Sequence, residues 1–394
     1  MSLRIGRKRT EFSFALFIFC IIYLVFSVLD LAASAQTGHK GADRSAVHIA
    51  ILSVTVFLFL YFIFNLRFVK TRSLKLIGIF TALLFWTSTV NILKGTSTWN
   101  LLIQENMSFL WILICYFFES IRLKCATNKP IKSFAMLFFV FFIGSTVYYF
   151  YDMYIRLGEI PVLNVIYCVI ALLPWLFVDN NRSKRNDILI FTVVVAVTLL
   201  SMKRGAIIAV VLMILTYYFV QAFFNKNYKS IGKLLVFTII LIIAFNVADN
   251  ISGGFLSARF SEEEMASGSG RTEQFAAVIS ILKESNLISL LFGYGSQKGL
   301  DIFGTGIHNE WLAFFFNYGF IGLILYAMMF LYFFKQSRII RKTNKNLAVP
   351  CYMMSVFYFV LSMVSTGYGG YVGILLFGFW GFVNAEHKIS CVEK

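Results

Sequence analysis

The amino-acid sequence predicts an all-α, polytopic integral membrane protein with about twelve transmembrane helices. Of its 394 residues, 59% are hydrophobic and only 14% are charged, whereas soluble domains contain about 25% charged residues. About 20 apolar residues in a helix cross a bilayer core of about 30 Å, and apolar runs near that length recur along the chain. The runs lie near residues 12–32, 46–64, 74–93, 104–121, 131–150, 162–178, 187–202, 205–224, 231–248, 310–334, 348–365 and 368–384.

One connection between these runs, residues 249–309, is large enough to fold as a feature of its own. It is polar and rich in glycine, with the landmarks GSGR at 268–271, GYG at 293–295 and GIHNE at 306–310. We therefore divide the chain into nine N-terminal transmembrane helices (1–248), this large loop (249–309), and three C-terminal helices with a tail (310–394).

The net charge of +16 is explained by topology, and we expect no nucleic-acid partner. With the N-terminus in the cytoplasm, roughly 25 basic residues lie inside and roughly 10 outside, as the positive-inside rule requires. Treating 187–224 as one long helix gives a poorer split of roughly 19 to 14, and it would bury Lys203 beside Arg204 in lipid. Both termini are therefore expected in the cytoplasm and the large loop on the opposite, external side.

The N-terminus also resembles a secretory signal, because a basic start and an apolar run precede Ala33-Ser34-Ala35. The apolar run exceeds the 7–15 residues of a typical signal peptide. We therefore expect the first helix to be retained.

Within the large loop, Ser261 to Glu264 forms a capping-box pattern that predicts a short helix. A glycine- and serine-rich hinge follows, and then Phe275, Val278, Ile279 and Leu282 recur at helical spacing. The spacing predicts an amphipathic helix from about 271 to 285 that lies on the membrane or the bundle.

Arg271 stands in the first turn of that predicted helix. Free backbone N–H groups and the helix dipole favour an anion there, and an arginine offers forked donors to phosphate oxygens. Arg271 therefore indicates a phosphate or diphosphate site. A solvated surface arginine is an equally good interpretation of the local pattern.

His308, Asn309 and Glu310 stand where the tenth apolar run begins. A histidine titrates near neutrality and can accept a proton in catalysis. Glu310 competes for that role or could orient the imidazole, and Asn309 could cap the helix. A capping or hydrogen-bonding role is the plainer interpretation of His308.

The turn at Ser201 to Gly205 follows a short run of only 16 residues, which spans about 24 Å as a helix. A short span draws its end toward the membrane interior, so Lys203 and Arg204 would lie near the depth of lipid phosphates. The simpler alternative is that both side chains reach ordinary phospholipid headgroups. Arg259 adds another external cation.

Several signatures of other functions are absent from the sequence. It contains no Asp-x-Asp pair of the kind that binds a metal–nucleotide sugar, no phosphate-binding P-loop and no HExxH zinc motif. We expect no metal site and no cofactor. Acidic residues deep in the spans are scarce, which disfavours an ion-coupled transporter.

Taken together, these features resemble the bacterial O-antigen polymerase and O-antigen ligase superfamily. The resemblance covers roughly residues 185–335 and rests on Ser201 to Gly205, Arg271, Gly293 to Gly295, His308-Asn309, and Gly319 with Gly322. It implies a GT-C-like, metal-independent glycosyltransferase of the bacterial inner membrane that uses polyprenyl-diphosphate-linked glycans. Lys203 departs from the small residue of the ligase pattern before Arg204.

The resemblance also implies roles for particular residues. Arg204 and Arg271, with Lys203 and Arg259 nearby, would bind the donor diphosphate. His308, aided by Glu310, would deprotonate or orient the acceptor hydroxyl. The context HNEWLAFFFNYG favours a repeat-unit polymerase over a ligase, with a transporter or flippase as the alternative of another class. Expected partners are the lipid-linked donor and acceptor, the bilayer, and a chain-length regulator protein.

Overall fold

The fold was described from a computed structural model, covering residues 13–36, 45–66, 71–95, 111–158, 162–178, 186–261, 271–304, 306–365 and 370–392. These residues form helices joined by turns and loops, which confirms the all-α membrane fold. The helices are α1 Phe14–Gln36, α2 Ser45–Asn65, α3 Leu74–Leu93, α4 Leu113–Lys124, α5 Lys129–Phe150, α6 Ile166–Leu176, α7 Asn186–Leu200, α8 Arg204–Phe219, α9 Lys229–Ile251, α10 Phe255–Arg259, α11 Arg271–Lys283, α12 Leu287–Phe292, α13 Ser296–Phe303, α14 Glu310–Thr343, α15 Lys345–Val364 and α16 Gly370–Val392.

Each of the twelve predicted apolar runs overlaps one of these helices, and residues 104–110 of the fourth run lie outside the described residues. Within the described ranges, 8 helices are long and apolar enough to cross a membrane, namely α1, α2, α3, α5, α8, α9, α14 and α15. The helices α5 and α8 are extended by the π-helical turns Tyr151–Arg156 and Val220–Phe224.

The helices α6 and α7 are apolar but too short for a full span. The 11 residues of α6 rise only about 16 Å, roughly half of the hydrocarbon core. Its residues Ile166 to Trp175 are all buried inside the protein. A helix shorter than the hydrocarbon core can bring its first turn to a site below the membrane surface.

The core around α6 is built from aromatic side chains of several helices. Trp175 packs edge-on against Phe118 of α4 and stacks on Phe382 of α16, and α4 and α16 run against each other along much of their length. The Trp175 indole N–H donates to the backbone carbonyl of Leu375. The core thus fixes α6 rigidly between its neighbours.

The predicted run at 310–334 is part of a longer helix, α14, which is interrupted at Gly319. There the backbone turns to φ 68°, ψ −171°, and a Cβ on Gly319 would lie 2.2 Å from the carbonyl oxygen of Leu291. Gly293 approaches the backbone of Asn317 equally closely. Only glycine permits both the conformation and the contact, so these two glycines join the end of α12 to the broken helix.

The helix predicted at about 271–285 is confirmed as α11, although Ile279 of its predicted apolar face is exposed. Its residues Val278 and Leu282 are buried against Ile307 and Phe316 in a small apolar cluster beside the main core, so α11 packs on the bundle. The capping-box pattern at 261–264 lies largely outside the described residues.

Candidate functional site

A cavity of about 610 Å³ opens between the loop helices and the ends of the membrane helices. This volume lies within the range of about 300–1,000 Å³ that is typical of small-molecule sites. It contains five of the six site residues predicted from the sequence, together with several that were not predicted. The lining residues are Tyr167, Lys203, Arg204, Gly205, Arg259, Arg271, Glu273, Gln274, Ala277, Ile302, Phe303, His308 and Val364.

Four helices begin at or beside this cavity. Tyr167 lies in the first turn of α6, Arg204 is the first residue of α8, and Arg271 is the first residue of α11. His308 stands two residues before α14. Helix N-termini carry unsatisfied N–H groups and partial positive charge, so the backbone adds to the preference for an anion.

The turn at residues 201–205 holds Lys203 and Arg204 in place. Met202 is buried at 1% exposure and has a φ of 51°, which is uncommon for a residue other than glycine. The Ser201 carbonyl accepts a hydrogen bond from the backbone N–H of Leu163 at 3.0 Å. This link ties the turn to the segment that precedes α6.

Arg204 and Arg271 are each oriented by a backbone carbonyl. The Arg204 guanidinium donates to the carbonyl of Arg259 at 2.9 Å, and that of Arg271 donates to the carbonyl of Val364 at 2.8 Å. Both acceptors lie at the last residues of helices, where carbonyls lack intrahelical partners. Such a contact fixes a guanidinium without removing its charge.

The cavity is strongly cationic. Among its described lining residues, Lys203, Arg204, Arg259 and Arg271 are basic and only Glu273 is acidic. Burial and, to a smaller extent, the charges of Arg271 and Arg259 together lower the pKa of Lys203 to about 8. Because these cations disfavour one another's charge, an anion in the cavity would be bound favourably.

His308 faces the same cations. Burial lowers the pKa of its imidazole below 6.5, and Arg271 and Lys203 act in the same direction. The ring is therefore neutral at physiological pH. A neutral imidazole is the form that can accept a proton.

The structure places Glu310 apart from the other predicted site residues. Its side chain is fully buried, accepts a hydrogen bond from the Tyr326 hydroxyl, and is not among the lining residues. The neighbouring Asn309 caps α14, because its side-chain oxygen accepts from the backbone N–H of Leu312 at 3.0 Å. The capping interpretation of Asn309 is thus confirmed.

Several lining residues were not singled out from the sequence. Tyr167 and Val364 lie in apolar runs and come to the cavity only through packing of α6 and α15. Gln274 and Phe303 belong to α11 and α13, whose docking on α14 was not predicted in detail. Of these four residues, Gln274 could have been identified from the sequence, because it lies one turn beyond Arg271 on the same predicted helix.

The described residues hold no group of three His, Cys, Asp or Glu side chains that could hold a metal ion. The cavity therefore combines an anion site with a neutral imidazole. Such an arrangement can stabilise negative charge that develops on a phosphate leaving group while a hydroxyl loses its proton.

Residues 188–327 match a protein-family model described as O-antigen ligase, and this segment contains Lys203, Arg204, Arg259, Arg271, His308 and Glu310. No curated protein matches the chain. The matched family covers both O-antigen ligases and polymerases and does not separate them. Over this segment, which is less than half of the chain, the match supports the resemblance to the O-antigen polymerase and ligase superfamily of membrane proteins.

Proposed function

We propose that this protein is a repeat-unit polymerase for a surface polysaccharide, acting on the periplasmic face of the bacterial inner membrane. A glycan chain on a polyprenyl diphosphate would be transferred to the terminal sugar hydroxyl of a new lipid-linked repeat unit. The observation that carries this proposal is the shared cavity, which combines Lys203, Arg204, Arg259 and Arg271 with His308.

The donor's diphosphate would bind between the cations of the 201–205 turn and Arg271. The acceptor hydroxyl attacks the anomeric carbon of the donor sugar as the bond from that carbon to the phosphate oxygen breaks. The hydroxyl proton passes to the His308 imidazole, and the bond's electron pair leaves with the diphosphate. Preorganised cations stabilise the charge that grows on this leaving group.

The charge distribution supports the proposed sidedness. With the cavity on the periplasmic side, the short and strongly basic connections face the cytoplasm, as the positive-inside rule requires. The polyprenyl chain would lie in the bilayer, and the short α6 and α7 would let its diphosphate reach the cavity below the membrane surface. A protein that regulates chain length is a further expected partner.

A ligase that transfers the finished chain to lipid A–core is the second candidate, because the matching family model carries the description O-antigen ligase. We favour the polymerase on the sequence context of residues 308–319. A strain lacking the gene distinguishes the two. A lipid core with a single repeat unit indicates a polymerase, and a core with no glycan indicates a ligase. Repeat units trapped on the cytoplasmic leaflet would indicate a flippase and contradict both.

The diphosphate site is tested by Arg204→Ala and Arg271→Ala. Each should lower the transfer rate by about 10²–10³-fold, which is the usual effect of removing one preorganised donor. The readout is the ladder of glycan lengths at normal protein level. Lys283→Ala is the matched control, because Lys283 is an exposed cation in the last turn of α11 and does not line the cavity. Wild-type ladders from both arginine variants would refute the site.

A further inference from the structure

Tyr167 lines the same cavity but has no assigned role. It is 3% exposed, and its hydroxyl has no hydrogen-bond partner among the described residues. Most buried polar groups in proteins are paired. A buried hydroxyl without a partner in the wall of a binding cavity therefore suggests a ligand that supplies the missing partner.

The surroundings of Tyr167 indicate what kind of ligand that is. The residue lies in the first turn of α6, and the charge of Arg271 acts on its hydroxyl. The cations Lys203 and Arg204 line the cavity beside it. In such a cationic site, the phenol O–H can donate a hydrogen bond to a negatively charged acceptor, such as a phosphate oxygen.

The Tyr167 hydroxyl also explains why residue 205 is a glycine. A Cβ built on Gly205 would lie 2.8 Å from the Tyr167 hydroxyl oxygen and 3.0 Å from Cγ2 of Val364. Any larger residue at position 205 would have to displace the tyrosine ring or Val364. The glycine that follows Arg204 thus leaves space for the phenol in the wall of the cavity.

We propose that the Tyr167 hydroxyl donates a hydrogen bond to an oxygen of the bound diphosphate. This inference rests on the proposed function, since it concerns the diphosphate of the same lipid-linked donor. Tyr167 would be a neutral third anchor beside Arg204 and Arg271. It comes from outside the segment that matches the family model.

The test is the affinity of the full-length protein, in lipid nanodiscs, for geranylgeranyl diphosphate. Tyr167→Phe removes only the hydroxyl oxygen, and it should weaken binding roughly ten- to hundredfold, as expected for a hydrogen bond to a charged group. Thermal unfolding of the variant should match that of the wild type. Geranylgeranyl monophosphate and inorganic pyrophosphate, titrated in parallel, show whether the diphosphate or the lipid tail carries the affinity.

Tyr218→Phe is the matched control. Tyr218 is also buried, at 1% exposure, and its hydroxyl likewise has no hydrogen-bond partner within the described part of the chain. It lies in α8 but does not line the cavity. Its variant should therefore bind the probe as the wild type does.

Gly205→Ala provides an independent variant. The new methyl group should displace the hydroxyl and weaken binding in the wild type, and it should do so less in the Tyr167→Phe background, where no hydroxyl remains to be displaced. Wild-type affinity in Gly205→Ala, or fully additive effects of the two changes, would count against the proposal.

The outcomes separate this inference from the proposed function. If Arg271→Ala loses binding while Tyr167→Phe binds like the wild type, Tyr167 is not an anchor and the diphosphate site stands. If Arg271→Ala also binds like the wild type, the diphosphate site itself is refuted, and the inference falls with it.

Discussion

Arginine side chains at the two ends of the bundle have different kinds of partner. At the cavity end, Arg271 donates to the backbone carbonyl of Val364. At the far end, Arg122 forms an ion pair with Glu386 at 2.6 Å, and both side chains are largely buried. A carbonyl orients a guanidinium and leaves its full charge for a ligand, whereas a carboxylate neutralises it. The first arrangement suits binding and the second suits structure.

The far end continues this pattern with a closed polar network. Glu119 accepts hydrogen bonds from the backbone N–H groups of Arg72 and Ser73 and from the Ser73 hydroxyl. His387 contacts the Arg72 guanidinium and the Thr343 hydroxyl, and Thr343 is the last residue of α14, which begins at the cavity. Each of these groups has a protein partner, so we expect the network to hold helices together.

The comparison is tested most strongly by the two histidines. His308→Ala should lower the transfer rate about 10²–10⁴-fold, the usual contribution of a general base, with little change in the thermal unfolding midpoint. His387→Ala should do the reverse, because it removes a buried hydrogen-bonding group and leaves the cavity intact. The measurements are transfer rates per folded protein and unfolding midpoints for both variants. Equal loss of stability in both would refute the division of roles.

The pH dependence of kcat/KM sharpens the assignment at the cavity end. The pKa of His308 is lowered below 6.5. On the acid side, kcat/KM should therefore fall as pH drops through that lowered value and the imidazole takes up a proton. The pKa of Lys203 is lowered to about 8, so the rate should fall again as pH rises through about 8 and the ammonium loses its charge. A bell-shaped profile results.

Two variants assign the limbs of that profile. Lys203→Arg, which stays protonated at every accessible pH, should extend the alkaline limb. His308→Gln should abolish the acid limb along with most of the activity. An unchanged alkaline limb in Lys203→Arg would show that another group titrates there.

At the far end, Arg122→Ala should lower the free energy of unfolding by about 3–5 kcal/mol, since it leaves the Glu386 charge without its buried partner. Transfer by the protein that remains folded should be normal. Denaturant or thermal unfolding in detergent measures the first quantity, and the glycan ladder normalised to folded protein measures the second. A stable but inactive Arg122→Ala protein would contradict the comparison.

The smallest effect is expected for Glu310→Gln. The amide keeps an oxygen that can accept from the Tyr326 hydroxyl, so the rate should fall less than about tenfold, the equivalent of one ordinary hydrogen bond. This change is measured beside His308→Ala under the same conditions. Should Glu310→Gln be inactive and His308→Ala active, the role of proton acceptor belongs to Glu310.

Local sequence patterns predicted the parts of the molecule that local physics controls. Each of the twelve hydropathy runs overlaps a helix, and 8 helices of the described residues are long and apolar enough to cross a membrane, as a span through lipid requires. The spacing of Phe275, Val278 and Leu282 located α11 and put Arg271 in its first turn. The turn after the short run at 187–202 was singled out from the sequence, and its Lys203 and Arg204 line the cavity.

Long-range packing determined what the sequence did not reveal. In the sequence, Tyr167 looks like any other aromatic residue of an apolar run. Only the packing of α6 places it at the cavity. The break at Gly319 depends on the approach of Gly293 from another helix, so a scan for apolar runs returns one uninterrupted span. Glu310 follows His308 closely in sequence, but the start of α14 turns its side chain toward Tyr326 in the interior.

The cavity brings together like charges from two parts of the chain. The 201–205 turn belongs to the membrane helices and Arg271 to the loop. Burial lowers the pKa of Lys203, and repulsion from Arg271 lowers it in the same direction. If the proposed diphosphate binds there, we expect it to attract both parts and so to hold the loop against the bundle. The repulsion would remain in the empty cavity, so we expect ligand binding to stiffen the link between the loop and the bundle.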